Sequence, residues 1–416
     1  MDIKIILIPF FLLSAVACFC QADSVSYDPG KSFKQSDIRT WLNRKNKSKV
    51  EEDNFLLVVP LIASNPTSGF MYGAGMSYTY KTFRTDNRLS GLTAMASYST
   101  KGLININLKS NVFAGHEKWV LNGDWRYIFS PEITYGLGTQ KISGANPPGA
   151  IDHPGKNSAG QSLKYDHTRF HEIISRKLAP NFFAGPGIQY DYYSGIKDQT
   201  VSAGDTAESW HYQYSSKHGF SAQKYTTSGI CFNLLYDSRD NELNAYKGYY
   251  ANLNYLLNTT LLGSSKNSTM LLAEYRAFYS LDQKKRNILA FWLYGNFVTS
   301  GSVPYLALPA LGYDERQRSG RGYTFGRFRG ENLVYTESEY RFPISPRSGI
   351  LGGVLFLNLT TTSDRENNIH LLDYLRTGYG GGLRIMLDKK SRTRFQIDGA
   401  IAQNKISFYF GVQETF

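Results

Sequence analysis

Apolar and polar residues alternate along most of this chain with a period of two. Between Leu333 and Phe342, Val334, Thr336, Ser338, Tyr340 and Phe342 share one parity, and Glu337, Glu339 and Arg341 share the other. Period-two alternation places the two sets on opposite faces of a sheet. Ile104, Ile106 and Leu108 likewise oppose Asn105, Asn107 and Lys109. Tyr249, Ala251, Leu253, Tyr255 and Leu257 oppose Asn252 and Asn254; Leu271, Ala273, Tyr275, Ala277 and Tyr279 oppose Glu274 and Arg276. Leu289, Phe291, Leu293 and Phe297 repeat the apolar half, as do Ile406, Phe408, Phe410 and Val412 before Phe416. Polar and charged groups hold one parity on strand after strand. That pattern asks for a polar interior inside an apolar surround, which a lipid-embedded barrel supplies.

The connections alternate as well. Short turns fall near 85–88, 115–118, 179–181, 237–241, 282–285, 345–348 and 388–391, and longer loops near 130–160, 194–223, 300–330 and 363–371. Short turns on one rim and long loops on the other are the mark of an outer-membrane barrel, with the short turns periplasmic. The expectation is an all-β, transmembrane antiparallel barrel of about sixteen strands over 55–416. In that count Leu308–Gly330 belongs to the sixth external loop.

Composition agrees. The chain has 30 Tyr, 25 Phe and 38 Gly in 416 residues, a strand-and-turn composition. Mean hydropathy is −0.35, because lumen-facing polar residues dilute every strand. The long apolar run, Ile5–Cys20, follows Lys4 and precedes Gln21-Ala22-Asp23, so 1–22 reads as a secretory signal peptide, cut between Ala17 and Asp23. Cys18 follows Ala15-Val16-Ala17, which leaves a lipoprotein-type cut as the alternative. Residues 23–54 are polar, with Arg44, Lys45, Lys47 and Lys49 ahead of Glu51, Glu52 and Asp53, and read as a flexible periplasmic lead. If the cut falls after Cys20, Cys231 stands alone, which excludes an internal disulfide and a multi-thiolate metal site. The formal charge of +12 suits scattered loop cations or contact with outer-membrane lipids and lipopolysaccharide.

The chemistry concentrates before the Leu333 strand. Arg316, Arg318, Arg321, Arg327 and Arg329 lie in a Gly-rich loop ahead of a strand whose inward parity carries Glu337 and Glu339. Guanidiniums near inward carboxylates predict a long loop folded into the lumen and paired there.

These residues carry a resemblance. GRGYTFGRFRGENLVYTESEYRFP resembles the sixth-loop and twelfth-strand motif of the bacterial surface antigen superfamily, which includes the BamA/TamA-type outer-membrane assembly barrels. VVPLIASNPTSGFMYGAGMSY, from Val58, resembles the first hairpin of its shorter members, and DSRDNELNAYKGYY, from Asp237, the turn before the ninth strand. The resemblance spans roughly Phe55 to Phe416. It implies that Arg321, in Arg321-Gly322-Tyr323, reaches into the lumen toward acids on the facing wall; parity offers Glu337, Glu339 and Asp398. Independently of the resemblance, Phe408 and Phe410 on the alternating last strand and the terminal Phe416 suit a C-terminal signal read by insertion machinery, the alternative being the last strand of any sheet. Two departures matter. The family's Phe-x-Asp-x-Gly strand reads Phe356, Asn358, Thr360 here, so Asn358 supplies no charge. The family's periplasmic transport-associated repeats are not recognisable, so client reception falls to a separate subunit or is missing.

Function by that resemblance is protein insertion into, or transport across, the outer membrane, with unfolded outer-membrane proteins or an accessory periplasmic protein as partners. Gly69, Gly73, Gly75 and Gly411 are expected to weaken a seam between the first and last strands. The alternative is a passive pore or structural barrel with a plugged lumen. No enzyme is expected: His116, His167 and His171 lack a Ser and an acid at persuasive spacing. No metal cluster, phosphate cradle or nucleic-acid face is legible, and no cofactor is expected.

Overall fold

A computed structural model describes residues 55–65, 69–82, 88–139, 160–198, 209–282, 287–346, 348–389, 391–403, 405–412 and 414–416. The expected signal peptide and periplasmic lead, with Cys18, lie outside the described residues. Sixteen strands follow one another: β1 (Phe55–Asn65), β2 (Gly69–Tyr80), β3 (Ser90–Ser99), β4 (Ile104–Ala114), β5 (Trp119–Thr134), β6 (Gln161–Ala179), β7 (Phe182–Asp198), β8 (Tyr225–Asp237), β9 (Gly248–Asn258), β10 (Ser268–Ser280), β11 (Ile288–Gly301), β12 (Asn332–Pro343), β13 (Leu351–Thr362), β14 (Arg376–Asp388), β15 (Thr393–Ala402) and β16 (Lys405–Val412). Each pairs antiparallel with its sequence neighbours, and β1 returns to β16 to close the barrel. The expected architecture is the one found. By the alternation of rims, the β11–β12 connection is the sixth long-rim loop, as the sequence count had it.

Alternation sorts side chains as expected. Glu337, Glu339 and Arg341 on β12 are each 1% exposed and face the lumen. Tyr249, Leu253, Tyr255 and Leu257 on β9 are exposed on the outer face, while Asn254 is buried. Outward aromatics cover that face in pairs: Trp125 stacks on Phe170 at 5.9 Å and Tyr249 meets Tyr279 edge-on at 5.9 Å.

The seam is narrow. Among the described residues one position pairs β1 with β16, Ser64 opposite Phe408. β1 and β2, by contrast, pair along the whole of Phe55–Asn65. Of the four glycines expected to thin the seam, three lie one strand in from it and the fourth lies on β16 itself. Gly69, Gly73 and Gly75 lie on β2, and Gly411 faces β15 opposite Gln396. A Cβ on Gly73 would come within 2.7 Å of the Ser97 backbone, so that glycine serves close packing of β2 on β3. Strand length does not set this closure, since β16 pairs with β15 along all 8 of its residues.

Connecting segments pack against one another and against the wall. In the β7–β8 loop, helix α1 (Trp210–Lys217) starts at Ser209, whose side chain accepts from the Tyr212 N–H. It packs Tyr214 on Tyr305 of the sixth loop at 5.6 Å. At the other rim, the β8–β9 connection is longer than the expected short turn. Residues 238–247 reach toward the β14–β15 turn, where Asn241 donates to the Ser391 carbonyl at 3.2 Å and Arg392 donates to Asp240 at 3.0 Å.

Candidate functional site: the pinned sixth loop

The β11–β12 loop enters the lumen as a folded unit. Its carboxylate Asp314 accepts the backbone N–H groups of Arg316, Arg318 and Ser319 at 2.8–3.2 Å, which shapes the tip. Ser319 Oγ accepts the Gly312 N–H at 2.9 Å, and Ala310 bridges Arg329 across the neck. The tip crosses the lumen far enough for Arg316 to donate to the Glu242 carbonyl in the β8–β9 connection at 3.4 Å.

Arg321 is the centre of the site. Its Nε and Nη2 donate to Glu337, Nη2 also to Glu339 Oε1, and Nη1 to Asp398 Oδ2 at 2.9 Å. The guanidinium carbon sits 3.5 Å from the centroid of the Phe356 ring. Burial works against the charge on Arg321, but Glu337, Glu339 and Asp398 outweigh it and hold its pKa well above the ordinary value. Glu337, Glu339 and Asp398 thus all lie within reach of the Arg321 guanidinium.

Gly322 and Tyr323 fasten the same turn. Gly322 has φ +99°, and a Cβ there would lie 2.8 Å from that of Ala402. A left-handed residue pressed against the wall requires glycine. Its N–H donates to the Tyr409 hydroxyl on β16 at 2.9 Å. Tyr323 donates to the Thr377 carbonyl on β14 at 2.6 Å. Asn358 keeps a role despite its lost charge: its Nδ2 donates to the Arg321 carbonyl at 3.0 Å. The triplet thus touches β12, β13, β14, β15 and β16.

A glycine stripe makes the space. A Cβ on Gly378 would meet the Arg321 carbonyl at 2.8 Å, one on Gly380 the Phe356 ring at 2.5 Å, and one on Gly382 would run into Asp398. The sequence shows these residues as GYGGG, but nothing in period or spacing says that they house a loop on the neighbouring strands.

Sequence reasoning missed a second anchor. Arg329, fully buried, donates to Glu132 on β5 at 2.8 Å and to the Leu306 carbonyl at 2.8 Å. Tyr313 also donates to Glu132, at 2.5 Å. Inward parity of Glu132 was the available signal. It also missed the Asp191 group on β7, where His167, Arg169 and His171 each reach the carboxylate at 2.7 Å. Two cavities flank the loop. One, of about 270 Å³, is lined by Asn233, Asn254 and Arg276 with Arg316; the other, of about 380 Å³, lies between the loop, β2–β4 and β16. Among the described residues no group of three His, Cys, Asp or Glu is arranged to hold a metal.

The proposed C-terminal signal divides. Phe408 and Phe410 face outward, 55% and 38% exposed, as their parity predicts. Phe416 does not continue that face. β16 ends at Val412, and Phe416 turns into the lumen, 2% exposed, against Trp292 and Phe278. The alternation stops with the strand, so Phe416 cannot be assigned by extending it.

The family model of the Omp85 superfamily domain matches residues 156–416. Among solved structures, BamA from Haemophilus ducreyi lacking POTRA domains 1–3 is similar over 92% of this chain and 74% of its own, with a TM-score of 0.55 at 14% identity. CdiB from Acinetobacter baumannii is similar over 88% of this chain and 60% of its own, with a TM-score of 0.53 at 11% identity. CdiB from Escherichia coli gives 88%, 63%, 0.53 and 9% in the same order. The chain spans less than two thirds of each CdiB chain. At these identities the likeness is one of fold. No curated protein matches the chain.

Proposed function

The chain belongs to the Omp85 superfamily, and from that premise we propose that it is an integral outer-membrane barrel that inserts proteins into that membrane or carries them across it. The reading assigns no catalytic chemistry and no cofactor to the chain. Its partners are membrane lipid at the apolar wall, and an unfolded outer-membrane protein or an accessory periplasmic protein at the periplasmic rim. The observation that carries the reading is Arg321 held on Glu337, Glu339 and Asp398 inside a barrel with a narrow seam.

The physics is that of a latch more than of a brace. A buried ion pair adds little net stability, because desolvation offsets attraction; breaking one by removing a partner costs roughly 3–5 kcal/mol. Turning a closed population from 99:1 to 1:99 takes about 5.5 kcal/mol. A signal that competes for the Arg321 carboxylates therefore has leverage of the right size to free the loop. Unpaired backbone groups at the seam then offer an incoming strand an edge to extend.

The test is conductance in planar bilayers of the native chain and Arg321→Ala. The transport reading expects a nearly closed native barrel and larger, more frequent openings in the variant. Steady and equal conductance in both removes the lock and leaves a simple pore or structural barrel.

A further inference from the structure

β16 is one side of the seam, and the chain does not follow the wall beyond it. Glu414, Thr415 and Phe416 turn inward and are 2%, 0% and 2% exposed. The Glu414 carboxylate meets Arg384 Nε at 2.7 Å, Arg394 Nη1 at 3.5 Å and Arg341 Nε at 3.9 Å. The Phe416 ring lies 5.4 Å from the Trp292 ring and 6.1 Å from Phe278, with the Arg341 guanidinium carbon 5.4 Å from its centroid. Arg341 also donates to the Phe416 carbonyl at 3.2 Å. An acidic side chain and an aromatic ring two residues apart thus meet a cationic and an aromatic subsite at matching spacing.

These cations are shared with the sixth loop. Arg341 Nε donates to Glu339 Oε2 at 2.7 Å, and Arg384 Nη1 donates to Asp398 Oδ1 at 2.5 Å. The remaining oxygens of the same two carboxylates hold Arg321. We propose that the wall around Arg341, Arg384 and Trp292 is a docking site for an acidic–aromatic segment, that Glu414–Phe416 is its occupant, and that Glu339 and Asp398 couple this latch to the sixth loop. When Arg321 leaves, Glu339 and Asp398 draw Arg341 and Arg384 toward themselves and away from Glu414 and Phe416. The seam strand and the loop are then released together. The coupling is a property of the folded barrel and holds whether or not a client crosses it.

The experiment places a cysteine at Thr415, whose hydroxyl makes no hydrogen bond. The full chain carrying Thr415→Cys is folded in detergent micelles, and folding is verified by heat-modifiable gel migration. Maleimide–polyethylene glycol labelling is timed with and without Arg321→Ala, and the labelling of the parent chain is subtracted. The proposal expects slow labelling with Arg321 present and at least about tenfold faster labelling without it, a coupling of ordinary allosteric size. Fast labelling in both backgrounds overturns the docking site. Slow labelling in both overturns the coupling. Where Arg321→Ala does not fold, Arg321→Gln, which removes the charge and keeps most of the volume, takes its place with the same expectation, and the chain carrying Thr415→Cys alone still decides the docking site. No client enters the assay, so its failure is separate from failure of the transport reading.

Discussion

At the scale of single residues, Asn358 shows how a lost charge is absorbed. Three carboxylates already surround the Arg321 guanidinium, and Asn358 holds the main chain behind it through a donor. An acid there would turn its oxygens toward the Arg321 carbonyl and remove that donor. Asn358→Asp is therefore expected to weaken the lock, although it restores the acid of the Phe-x-Asp-x-Gly pattern that this strand resembles. The size is roughly 1–3 kcal/mol, the penalty for a buried polar group left without its partner. It is read as a lower denaturant midpoint for the folded barrel and more frequent channel openings. An unchanged or higher midpoint would mean that an aspartate finds the guanidinium and that the backbone bond is dispensable. The parity of Glu337 and Glu339 was plain in the sequence. The bond from Asn358 was not, since alternation gives the face a residue occupies and not the atom it meets there.

At the scale of elements, two features outside β12 position the loop. The first is β14. A side chain on Gly382 would displace Asp398 from Arg321 and Arg384, whereas a Cβ on Gly381 would have its nearest neighbours at 3.1–3.2 Å. Gly382→Ala is expected to raise opening frequency in the direction of Arg321→Ala, and Gly381→Ala to change it much less. Equal effects would trace both to strand propensity, which costs on the order of 1 kcal/mol or less. The second is the β8–β9 connection. Glu242 accepts from Asn111 at 2.5 Å, and its other oxygen has no hydrogen-bond partner. Burial, and then the charge of Asp237, push its carboxyl up to about 7. The folded barrel therefore binds this proton below pH 7, while the unfolded chain releases it down to about 4.5. Stability gained from the proton is present at the acid end of that window and is lost as pH rises through 7. Unfolding free energies are expected to fall between pH 5 and 7 by a few kcal/mol at most, at roughly 1.4 kcal/mol per unit, and to level off above that. Glu242→Gln is expected to flatten the slope, and an unchanged slope would place the titration elsewhere.

At the scale of the whole molecule, the legible part was what period and parity carry: the barrel, its strand number, the order of its loops and the inward acids; Arg321 was singled out among the loop arginines by the resemblance of its motif. The hidden part depends on how distant wall positions converge. Arg329 and Glu132 are 197 residues apart and meet only because the lumen brings β5 opposite the loop neck. Glu414 and Phe416 follow the last alternating strand and then leave its pattern, so their place depends on Arg341, Arg384 and Trp292 from three other strands. Closure is set at the same scale. Ser64 and Phe408 are directly paired across the seam, and Cα atoms of such pairs lie about 4.5–5.5 Å apart, a separation a disulfide can span. Ser64→Cys combined with Phe408→Cys separates two ways of opening. If the seam must part, oxidation is expected to abolish the bursts released by Arg321→Ala, and reduction to restore them. If the loop swings clear of an intact wall, the bursts continue in the oxidised barrel with unchanged conductance. Persistence would confine passage to the lumen and exclude lateral release of a client strand, while loss would make the narrow contact of β1 with β16 the moving part.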